Sequence, residues 1–572
     1  MRKLVLLAAT LMAMTFAPAA ANAAITDVLD GDLTCGVVTA EGTVVGGNNP
    51  PVISGTVGQR WCGSLAAAAT TSLDVALPSN RSTHKTFDGV PLDVNVAFPP
   101  AAGDDEDWPV VGMFHGYGGT KVNFGQMQRW LNRGYAVYSV TNRGSGESCK
   151  NQASIDADPT GCADGFVRLM DPRFEIRDTQ NFLGELVDEG VISPTRIAAT
   201  GGSYGGSQSM HLGVLKNRVM NLDGTLSPWK SPLGEDMEIA VATPNIPWTD
   251  LLQALAPNGD TLDYLRDGSF NGKLGIMKES YVQGLYASAR NAPAGQDPRA
   301  DLTGWFNRLN QGEPYGDAAA NAMIDQITKY HSSYYVDHSQ APAPLLMSPG
   351  FTDDLFPVDE VIRYYNRTRA QFPNTKMSIF AGSFGHQRGQ SQSNVSDARR
   401  DLENAWVDYY LDDAGTEPAS EVVAYTQTCP NGSDAAGPYG ADDWAALAPG
   451  ELRLIDNGGP QTIASDSGVP ATSAIFNPLT AGQNPCGTAP DAKETGSANY
   501  DLPAAPAGGY TVMGAATVVA KIQVNNGPDS QIAARLVDLD GAGNKTLISR
   551  GTWRPDASGF QVFQLHPGAW KV

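Results

Sequence analysis

Short apolar runs alternate with amphipathic segments along the chain from about residue 86 onward. Runs of this kind predict β-strands, and segments with a helical period predict α-helices, in the order strand 110–114, helix 122–133, strand 135–140, helix 176–189 and strand 196–200. Because such repeats lay consecutive strands side by side with helices on their faces, the pattern predicts an α/β fold with a parallel sheet.

The pattern changes twice further along the chain. Between residues 209 and 341 it gives way to helical patches, and apolar strands then return at 344–347 and 377–381. We therefore expect a helical cap at about 209–341, inserted into a sheet domain that spans residues 81–412. From residue 413 to 572, short β-branched runs are separated by turns, which is typical of an all-β sandwich.

The N-terminus has the pattern of an export signal. The first three residues include Arg2 and Lys3, an apolar stretch follows, and Ala21 and Ala23 form a small-x-small cleavage site, so residues 1–23 are predicted to be a signal peptide. The alternative is a retained membrane anchor, but the apolar run is shorter than the roughly 20 residues that a spanning helix needs. We expect a secreted or extracytoplasmic protein whose residues 24–80 form an N-terminal extension.

Export places the cysteines in an oxidising compartment, where an even number favours disulfides. The six cysteines fall into three sequence-local pairs, so we expect nearest-neighbour pairing: Cys35 with Cys62, Cys149 with Cys162, and Cys429 with Cys486. The alternative is that some are buried free thiols. The sequence contains no Cys-x-x-Cys motif and no Cys/His cluster, so we expect no zinc, no other metal and no cofactor.

The charge balance limits the possible partners. The 572 residues include 61 Asp and Glu against 39 Lys and Arg, which gives a formal net charge of −22. An acidic chain of this kind disfavours binding to nucleic acid and to anionic membrane surfaces. We therefore expect neither nucleic acid nor a membrane as partner.

Residues 201–205 match G-x-S-x-G and lie between the predicted strand 196–200 and a helix-compatible stretch at 208–217. This motif forms a strained strand-to-helix turn that exposes the serine oxygen, here that of Ser203, beside a helix N-terminus that favours negative charge. The alternative is an ordinary glycine-rich loop, which the flanking strand and helix disfavour. Ser203 is thus a candidate nucleophile.

A nucleophilic serine needs a base and an acid, and both follow in the chain order Ser, acid, His. Asp353 and Asp354 directly follow the predicted strand 344–347, and His386 directly follows the strand 377–381. Because parallel sheets collect site residues at the C-terminal ends of their strands, we expect His386 to act as base. The spacing G-x-x-D favours Asp353 as the acid over Asp354.

A glycine-rich turn follows the predicted strand 110–114, where a hydrolase of this kind needs hydrogen-bond donors for its oxyanion. We expect one donor to be the backbone N–H of Tyr204, next after the nucleophile, and the second to come from Tyr117. His115, at the start of the turn, is expected to support the loop rather than to titrate in catalysis.

These motifs resemble the Xaa-Pro dipeptidyl-peptidase and cocaine-esterase family of serine hydrolases. The resemblance rests on G-x-S-Y-x-G at 201–206, N-R-G-S-G-E-S at 142–148 and D-L-F-P at 354–357, and it spans most of residues 80–572. It implies an α/β-hydrolase domain, an inserted helical cap and a C-terminal jelly roll. It also implies a nucleophile at Ser203, an acid at Asp353, a base at His386 and an oxyanion-hole tyrosine hydroxyl at Tyr117.

The sequence departs from the family pattern at two positions. Gly116 precedes Tyr117 where a Pro-Tyr pair is frequent, so the backbone N–H and the hydroxyl of Tyr117 remain competing donors. Asn142 stands where many relatives carry Asp, which implies a weaker contact with Arg143 than a buried ion pair. The C-terminal segment near residue 570 also lacks the strands that follow in relatives, so the sandwich is expected to be truncated or completed by a partner.

The resulting hypothesis is a secreted serine hydrolase that cleaves an ester or an Xaa-Pro peptide bond of a small-molecule substrate through an acyl-enzyme. The cap aromatics either line the substrate pocket or pack a core; they are Trp248, Tyr264, Tyr281, Tyr286 and Trp305. The alternative is a non-catalytic surface- or carbohydrate-binding protein on a hydrolase scaffold. The presence of Ser, Asp and His in this order along the chain favours the enzyme.

Overall fold

The computed structural model describes residues 25–38, 55–64, 82–100, 107–259, 274–386, 389, 391–464, 467–477, 484–514, 516, 518–525, 530–555, 559–565 and 570–571. The predicted signal peptide, residues 1–23, lies outside these ranges. Within them, no helix has both the length and the apolar character that crossing a membrane requires.

A large mixed sheet forms the centre of the molecule, with a separate short hairpin beside it. The strands from the N-terminus to residue 441 are Asp27–Val28 (β1), Leu33–Val37 (β2), Arg60–Gly63 (β3), Thr83–Lys85 (β4), Pro91–Phe98 (β5), Trp108–Phe114 (β6), Ala136–Val140 (β7), Ile192–Gly202 (β8), Arg218–Met220 (β9), Leu226–Pro228 (β10), Ile239–Asn245 (β11), Leu345–Met347 (β12), Met377–Ala381 (β13), Val422–Thr426 (β14) and Ala436–Ala441 (β15). All but the β9–β10 hairpin belong to the central sheet.

The sheet has the order β1-β2-β3-β5-β7-β6-β8-β11-β12-β13-β14-β15, with β4 paired on β5. Neighbours from β7 to β14 are parallel, and the pairs on either side of this core are antiparallel. Strand β8 therefore lies inside the parallel core, between β6 and β11. Its C-terminal end opens onto the edge where parallel sheets place their sites.

Helices pack on both faces of the sheet, and further helices lie between β11 and β12 and in the C-terminal region. They are Phe124–Leu131 (α1), Gln152–Ala157 (α2), Glu175–Asp188 (α3), Tyr204–Leu215 (α4), Leu251–Leu255 (α5), Glu279–Ala287 (α6), Leu302–Asn310 (α7), Ala318–His331 (α8), Asp359–Gln371 (α9), Ser393–Asp412 (α10), Trp444–Leu447 (α11) and Pro470–Ile475 (α12). The apolar side chains of α1 and α10 pack in one core, and those of α3, α4 and α9 pack in another. The expected α/β layering is thus present.

The N-terminal segment is part of the central sheet rather than an appendage. β3 pairs with β5, and β2 pairs with β3 in a register that places Cys35 opposite Cys62. His84 in β4 also fastens this region: its Nδ1 lies 2.8 Å from Asp32 Oδ2 and its Nε2 lies 2.9 Å from Glu185 Oε2 in α3. Burial lowers the pKa of His84, but the bonds to Glu185 and Asp32 outweigh it and raise that pKa, which favours the imidazolium.

Part of the predicted cap range lies in the sheet domain. Strand β11 and the part of helix α4 from residue 209 onward fall within 209–341, and β11 pairs in parallel with β8 and β12. The helices α5 to α8 of the insertion lie between β11 and β12, so the insertion begins after Asn245. Sheet pairing joins residues far apart in sequence, and local periodicity does not record it.

The C-terminal region differs from the expectation at its start. β14 and β15 lie after residue 413 but extend the central sheet. The later strands are Thr488–Ala489 (β16), Thr511–Val512 (β17), Val518–Val524 (β18), Ile532–Leu539 (β19), Lys545–Trp553 (β20), Gly559–Leu565 (β21) and Trp570–Lys571 (β22). They form small antiparallel sheets, β16-β20-β19, β17-β22 and β18-β21, and the jelly roll remains a prediction.

The predicted cysteine pairing is confirmed. Disulfides join Cys35 to Cys62, Cys149 to Cys162 and Cys429 to Cys486. The third links the segment after β14 to the segment before β16, and so ties the C-terminal sheets to the central one. Three disulfides are compatible with a secreted protein.

Candidate active site

Ser203 occupies a sharp turn between β8 and α4. Its backbone has φ 58° and ψ −114°, a strained conformation that a tight strand-to-helix turn imposes. The turn presses against both neighbouring strands: a Cβ added at Gly205 would lie 2.2 Å from the carbonyl oxygen of Phe114 in β6, and one at Gly206 would lie 2.2 Å from that of Asn245 in β11. Glycine at these positions therefore lets the turn seat between the strands.

Ser203, His386 and Asp353 form a continuous hydrogen-bonded chain. Ser203 Oγ lies 2.8 Å from His386 Nε2, and His386 Nδ1 lies 2.8 Å from each carboxylate oxygen of Asp353. The Asp353 side chain is 0% exposed and that of His386 is 17% exposed, so this series of hydrogen bonds runs from the interior towards the pocket. The three residues that the sequence predicts are thus brought together, each after the C-terminal end of a parallel strand.

The two candidate acids occupy different environments. Asp353 Oδ1 accepts hydrogen bonds from the backbone N–H groups of Leu355 (2.8 Å) and Phe356 (3.0 Å), which fix the carboxylate towards His386. Asp354 Oδ2 instead lies 3.8 Å from Arg550 Nη2 in β20. The ring of Phe356 also meets His386 edge-on, with centroids 5.0 Å apart. The geometry therefore favours Asp353 over Asp354 as the partner of His386.

Tyr117 and Tyr204, which the sequence predicts as oxyanion donors, lie next to each other in the structure. Tyr204 is the first residue of α4, where helix N–H groups have no intrahelical partner. Tyr117 follows β6, and its ring packs edge-to-face against Tyr204 with centroids 4.9 Å apart. Both residues line the same pocket as Ser203.

His115 supports the loop that carries Tyr117. Its Nδ1 donates to Gly116 O at 2.7 Å, and its Nε2 accepts from the N–H of Asn142 at 3.0 Å. Burial lowers the pKa of His115 to about 4, so the ring is neutral at neutral pH, as this pattern of one donor and one acceptor requires. The structural role expected for His115 agrees with these contacts.

The expected contact between residues 142 and 143 does not form. Asn142 Nδ2 donates to Gln208 Oε1 at 3.1 Å. The fully buried guanidinium of Arg143 binds two carboxylates instead, those of Asp178 and Asp88. The charge of Arg143 therefore stays paired although residue 142 is Asn and not Asp.

A largely apolar pocket opens at Ser203 beneath the helices of the insertion. Among the described residues, its lining comprises Tyr117, Leu169, Ser203, Tyr204, Trp248, Leu251, Leu252, Leu255, Val282, Leu285, Tyr286, Leu302, Trp305, Phe306, Leu309, Ile327, Leu355 and Phe356. Three of the cap aromatics named from the sequence, Trp248, Tyr286 and Trp305, belong to it. Tyr281 packs against the core, and Tyr264 lies outside the described residues.

Sequence reasoning missed Glu175, the first residue of α3. Its carboxylate is fully buried and accepts a hydrogen bond from the Tyr204 hydroxyl at 2.9 Å. A glutamate at a helix start looks like an ordinary helix-dipole partner, so no sequence signal distinguishes it. In the part of the chain that the structure describes, no group of three or more His, Cys, Asp or Glu side chains is arranged to hold a metal ion.

The strained serine turn on a mixed sheet with a parallel core defines the class: the chain is a serine hydrolase with an α/β-hydrolase fold. Residues 88–388, more than half of the chain, match the family model described as X-Pro dipeptidyl-peptidase (S15 family). The chain belongs to that family, and the resemblance inferred from the sequence is confirmed.

The solved structures to which the chain is similar include peptidases and an esterase. An aminopeptidase from the marine sediment archaeon Thaumarchaeota archaeon is 15% identical, with 88% of this chain and 89% of that chain covered and a TM-score of 0.48. An acetyl xylan esterase from Paenibacillus sp. R4 is 14% identical, with 60% and 82% covered and a TM-score of 0.34. The acylaminoacyl peptidase of Pyrococcus horikoshii is 17% identical, with 59% and 42% covered and a TM-score of 0.34. No curated protein sequence matches significantly.

Proposed function

We propose that this chain hydrolyses an ester or peptide bond through an acyl-enzyme, with Ser203 as nucleophile, His386 as general base and Asp353 as the acid that orients the imidazole. The observation that carries the proposal is the unbroken path of 2.8 Å contacts from Asp353 through His386 to Ser203 Oγ. A serine hydroxyl is a weak nucleophile by itself, and this path supplies the base that it needs.

Both halves of the reaction follow from the positions of these groups. Ser203 Oγ attacks the carbonyl carbon while its proton moves to His386 Nε2, and Asp353 stabilises the imidazolium through Nδ1–H. His386 then protonates the leaving alcohol or amine, and the acyl-enzyme remains. Water deprotonated by the same His386 releases the acid and restores Ser203.

The oxyanion of each tetrahedral intermediate is held, we propose, by the backbone N–H of Tyr204 and by a donor from Tyr117. The N-terminal end of α4 adds a favourable dipole at the same point. Burial raises the pKa of the Tyr117 hydroxyl, so it stays protonated and able to donate. The hydroxyl and the backbone N–H of Tyr117 remain competing donors, and a Tyr117 variant separates them.

The substrate group beside the reacting carbonyl is proposed to be uncharged and apolar. The described lining of the pocket consists of aliphatic and aromatic side chains, with hydroxyls from Ser203 and tyrosines. Such a surface binds by removing apolar area from water. A hydrocarbon acyl chain or a proline ring fits this chemistry, so both an ester and an Xaa-Pro peptide are retained as substrates.

A fluorophosphonate probe tests the catalytic proposal directly. We expect stoichiometric labelling at Ser203 in the wild-type protein and none in Ser203→Ala, with the fold of both checked by circular dichroism. A folded wild-type protein that is neither labelled nor active on any substrate would favour the alternative of a non-catalytic binding protein. A panel of p-nitrophenyl esters beside Ala-Pro-p-nitroanilide then separates an esterase from a peptidase.

Export and the domain limits are proposals that rest on the sequence pattern. We propose that residues 1–23 are removed on secretion, that a helical cap covers the site and that the C-terminal region forms a β-sandwich. N-terminal sequencing of protein from culture medium tests the first point and should begin at Ala24. A mature protein that retains Met1 would contradict it.

A further inference from the structure

Glu175 gathers three hydrogen-bond donors beneath the proposed oxyanion side of the site. Its Oε1 accepts from the Tyr204 hydroxyl at 2.9 Å and from the N–H of Arg168 at 2.7 Å, and its Oε2 accepts from the N–H of Asp171 at 2.9 Å. The residue is 0% exposed. Water therefore cannot replace any of these contacts without a change in the local structure.

The loop that Glu175 holds is strained and reaches the pocket. Leu169 (φ 49°) and Met170 (φ 58°) are consecutive left-handed residues, a conformation that side chains with a Cβ rarely adopt. Leu169 lines the pocket, and the N–H of Met170 donates to the Tyr204 hydroxyl at 3.1 Å. Two N–H groups on either side of this strained pair end on the Glu175 carboxylate, which therefore holds the loop in place.

Tyr204 connects Glu175 to the reacting centre. Its backbone follows Ser203 directly, and its ring contacts Tyr117 at 4.9 Å and Trp248 at 5.9 Å between centroids. A tyrosine fixed at both ends, by the hydroxyl and by the start of α4, keeps its N–H in one place. Preorganised donors of this kind are what an oxyanion site needs.

We propose that Glu175 is a positioning residue: by fixing the Tyr204 hydroxyl and the loop 168–171, it holds the proposed oxyanion donors of Tyr204 and Tyr117 in register with Ser203. This inference rests on the function proposed above. Glu175 touches no substrate atom in this role and acts through Tyr204.

The ionisation of Glu175 supports this role. Three donors point at the carboxylate, and the ionised form, which only accepts, suits them, whereas protonation would add an O–H donor to this cluster. Burial raises the pKa of Glu175 to about 7, with Asp171 also raising it, while the backbone N–H of Arg168, the Tyr204 hydroxyl and Arg143 lower it. Burial raises the pKa of Tyr117, and the charge of Glu175 raises it further. We therefore expect the acid limb of kcat/KM to include the ionisation of Glu175.

The test compares Glu175→Gln with a buried glutamate of similar surroundings. Glu360 in α9 is also 0% exposed, accepts backbone N–H bonds from Thr249 and Asp250, and has a pKa raised to about 7 by burial. Both variants should lower the melting temperature. We expect Glu175→Gln to lower kcat at least 10-fold, with KM changed less than about 3-fold, while Glu360→Gln keeps kcat within about 3-fold.

Two readouts separate positioning from simple loss of stability. The acid limb of kcat/KM should contain one ionisation more in the wild type and in Glu360→Gln than in Glu175→Gln. The inhibition constant for a boronic acid, which forms a tetrahedral anion on Ser203, should rise by the same factor as kcat falls. Rates are normalised to sites labelled by fluorophosphonate, so that only folded enzyme is counted.

A second variant keeps the inference testable if Glu175→Gln does not fold. Tyr204→Phe removes the hydrogen bond between Tyr204 and Glu175, and we expect its kcat to fall at least 10-fold. When Tyr204→Phe is added to Glu175→Gln, we expect kcat to fall no further than in Glu175→Gln alone. Wild-type kcat, pH profile and boronate affinity in either folded variant would overturn the inference. Failure of the proposed function is distinguishable, because wild-type enzyme would then show no labelling and no turnover.

Discussion

Replacing Asp353 by Asn should abolish nearly all turnover while the fold persists. Asp353 Oδ1 accepts the N–H groups of Leu355 and Phe356, so the amide oxygen of Asn must occupy that position. The amide nitrogen then lies where Oδ2 stood, 2.8 Å from His386 Nδ1. Because Nδ1 lies 2.8 Å from both oxygens of Asp353, the amide N–H at one of them opposes the Nδ1–H and favours the tautomer with the proton on Nε2, in which Nε2 cannot accept the proton of Ser203.

The magnitude follows from this exchange of tautomers. Trapping the base in the wrong tautomer lowers kcat by about 10⁴-fold, or roughly 5 kcal/mol of transition-state stabilisation. The assay is the turnover of a p-nitrophenyl ester at pH 8, with the fold checked by thermal melting. Asp354→Asn is the matched control: its carboxylate lies 3.8 Å from Arg550, whereas the carboxylate of Asp353 binds His386, so we expect its kcat within about 3-fold of wild type. Equal losses in the two variants would refute the assignment of Asp353.

The remaining predictions concern the turn, the second donor and the N-terminal fastening. Gly205→Ala should destabilise the fold by about 3 kcal/mol and remove most activity, because its Cβ would meet Phe114 O at 2.2 Å. Gly284→Ala in α6, where a Cβ meets nothing within 4 Å, should instead stabilise by ~0.5–1 kcal/mol in the same melts, and equal destabilisation would contradict the packing argument. Tyr117→Phe should lower kcat about 10²–10³-fold if the hydroxyl is the donor, whereas unchanged kcat assigns the role to its N–H. Because the pKa of His84 is raised, its contribution to stability should be complete below about pH 6.5 and be lost as pH rises through the folded-state pKa. Melts of His84→Gln across this range should lose that dependence, and an unchanged profile would rule out the bridge.

Local patterns predicted the strands that carry the site. The predicted strand 377–381 coincides with β13, and the glycine turn at 201–205 lies where β8 gives way to α4. Such elements are predictable because apolar runs, glycines and chain order are local properties of the sequence. Cysteine pairing was predictable for the same reason, since each pair is close in sequence.

The limits of the sheet were not predictable in this way. β11 lay in the range expected for the cap, β14 in the range expected for the sandwich, and β3 in the expected extension, yet all three pair in the central sheet. A strand's partners are chosen by hydrogen bonding and burial across the whole chain. A short apolar run carries no mark of which neighbour it will find.

By itself, the sequence determined the family, the α/β layering, and the candidates Ser203, Asp353 and His386 in their chain order. Only the tertiary structure decided that these three side chains form one hydrogen-bonded path and that Glu175 lies beneath Tyr204. The physical reason is that residue type and local pattern record what a side chain can do. What it does depends on burial and on the groups that converge on it, and convergence is a property of the folded chain.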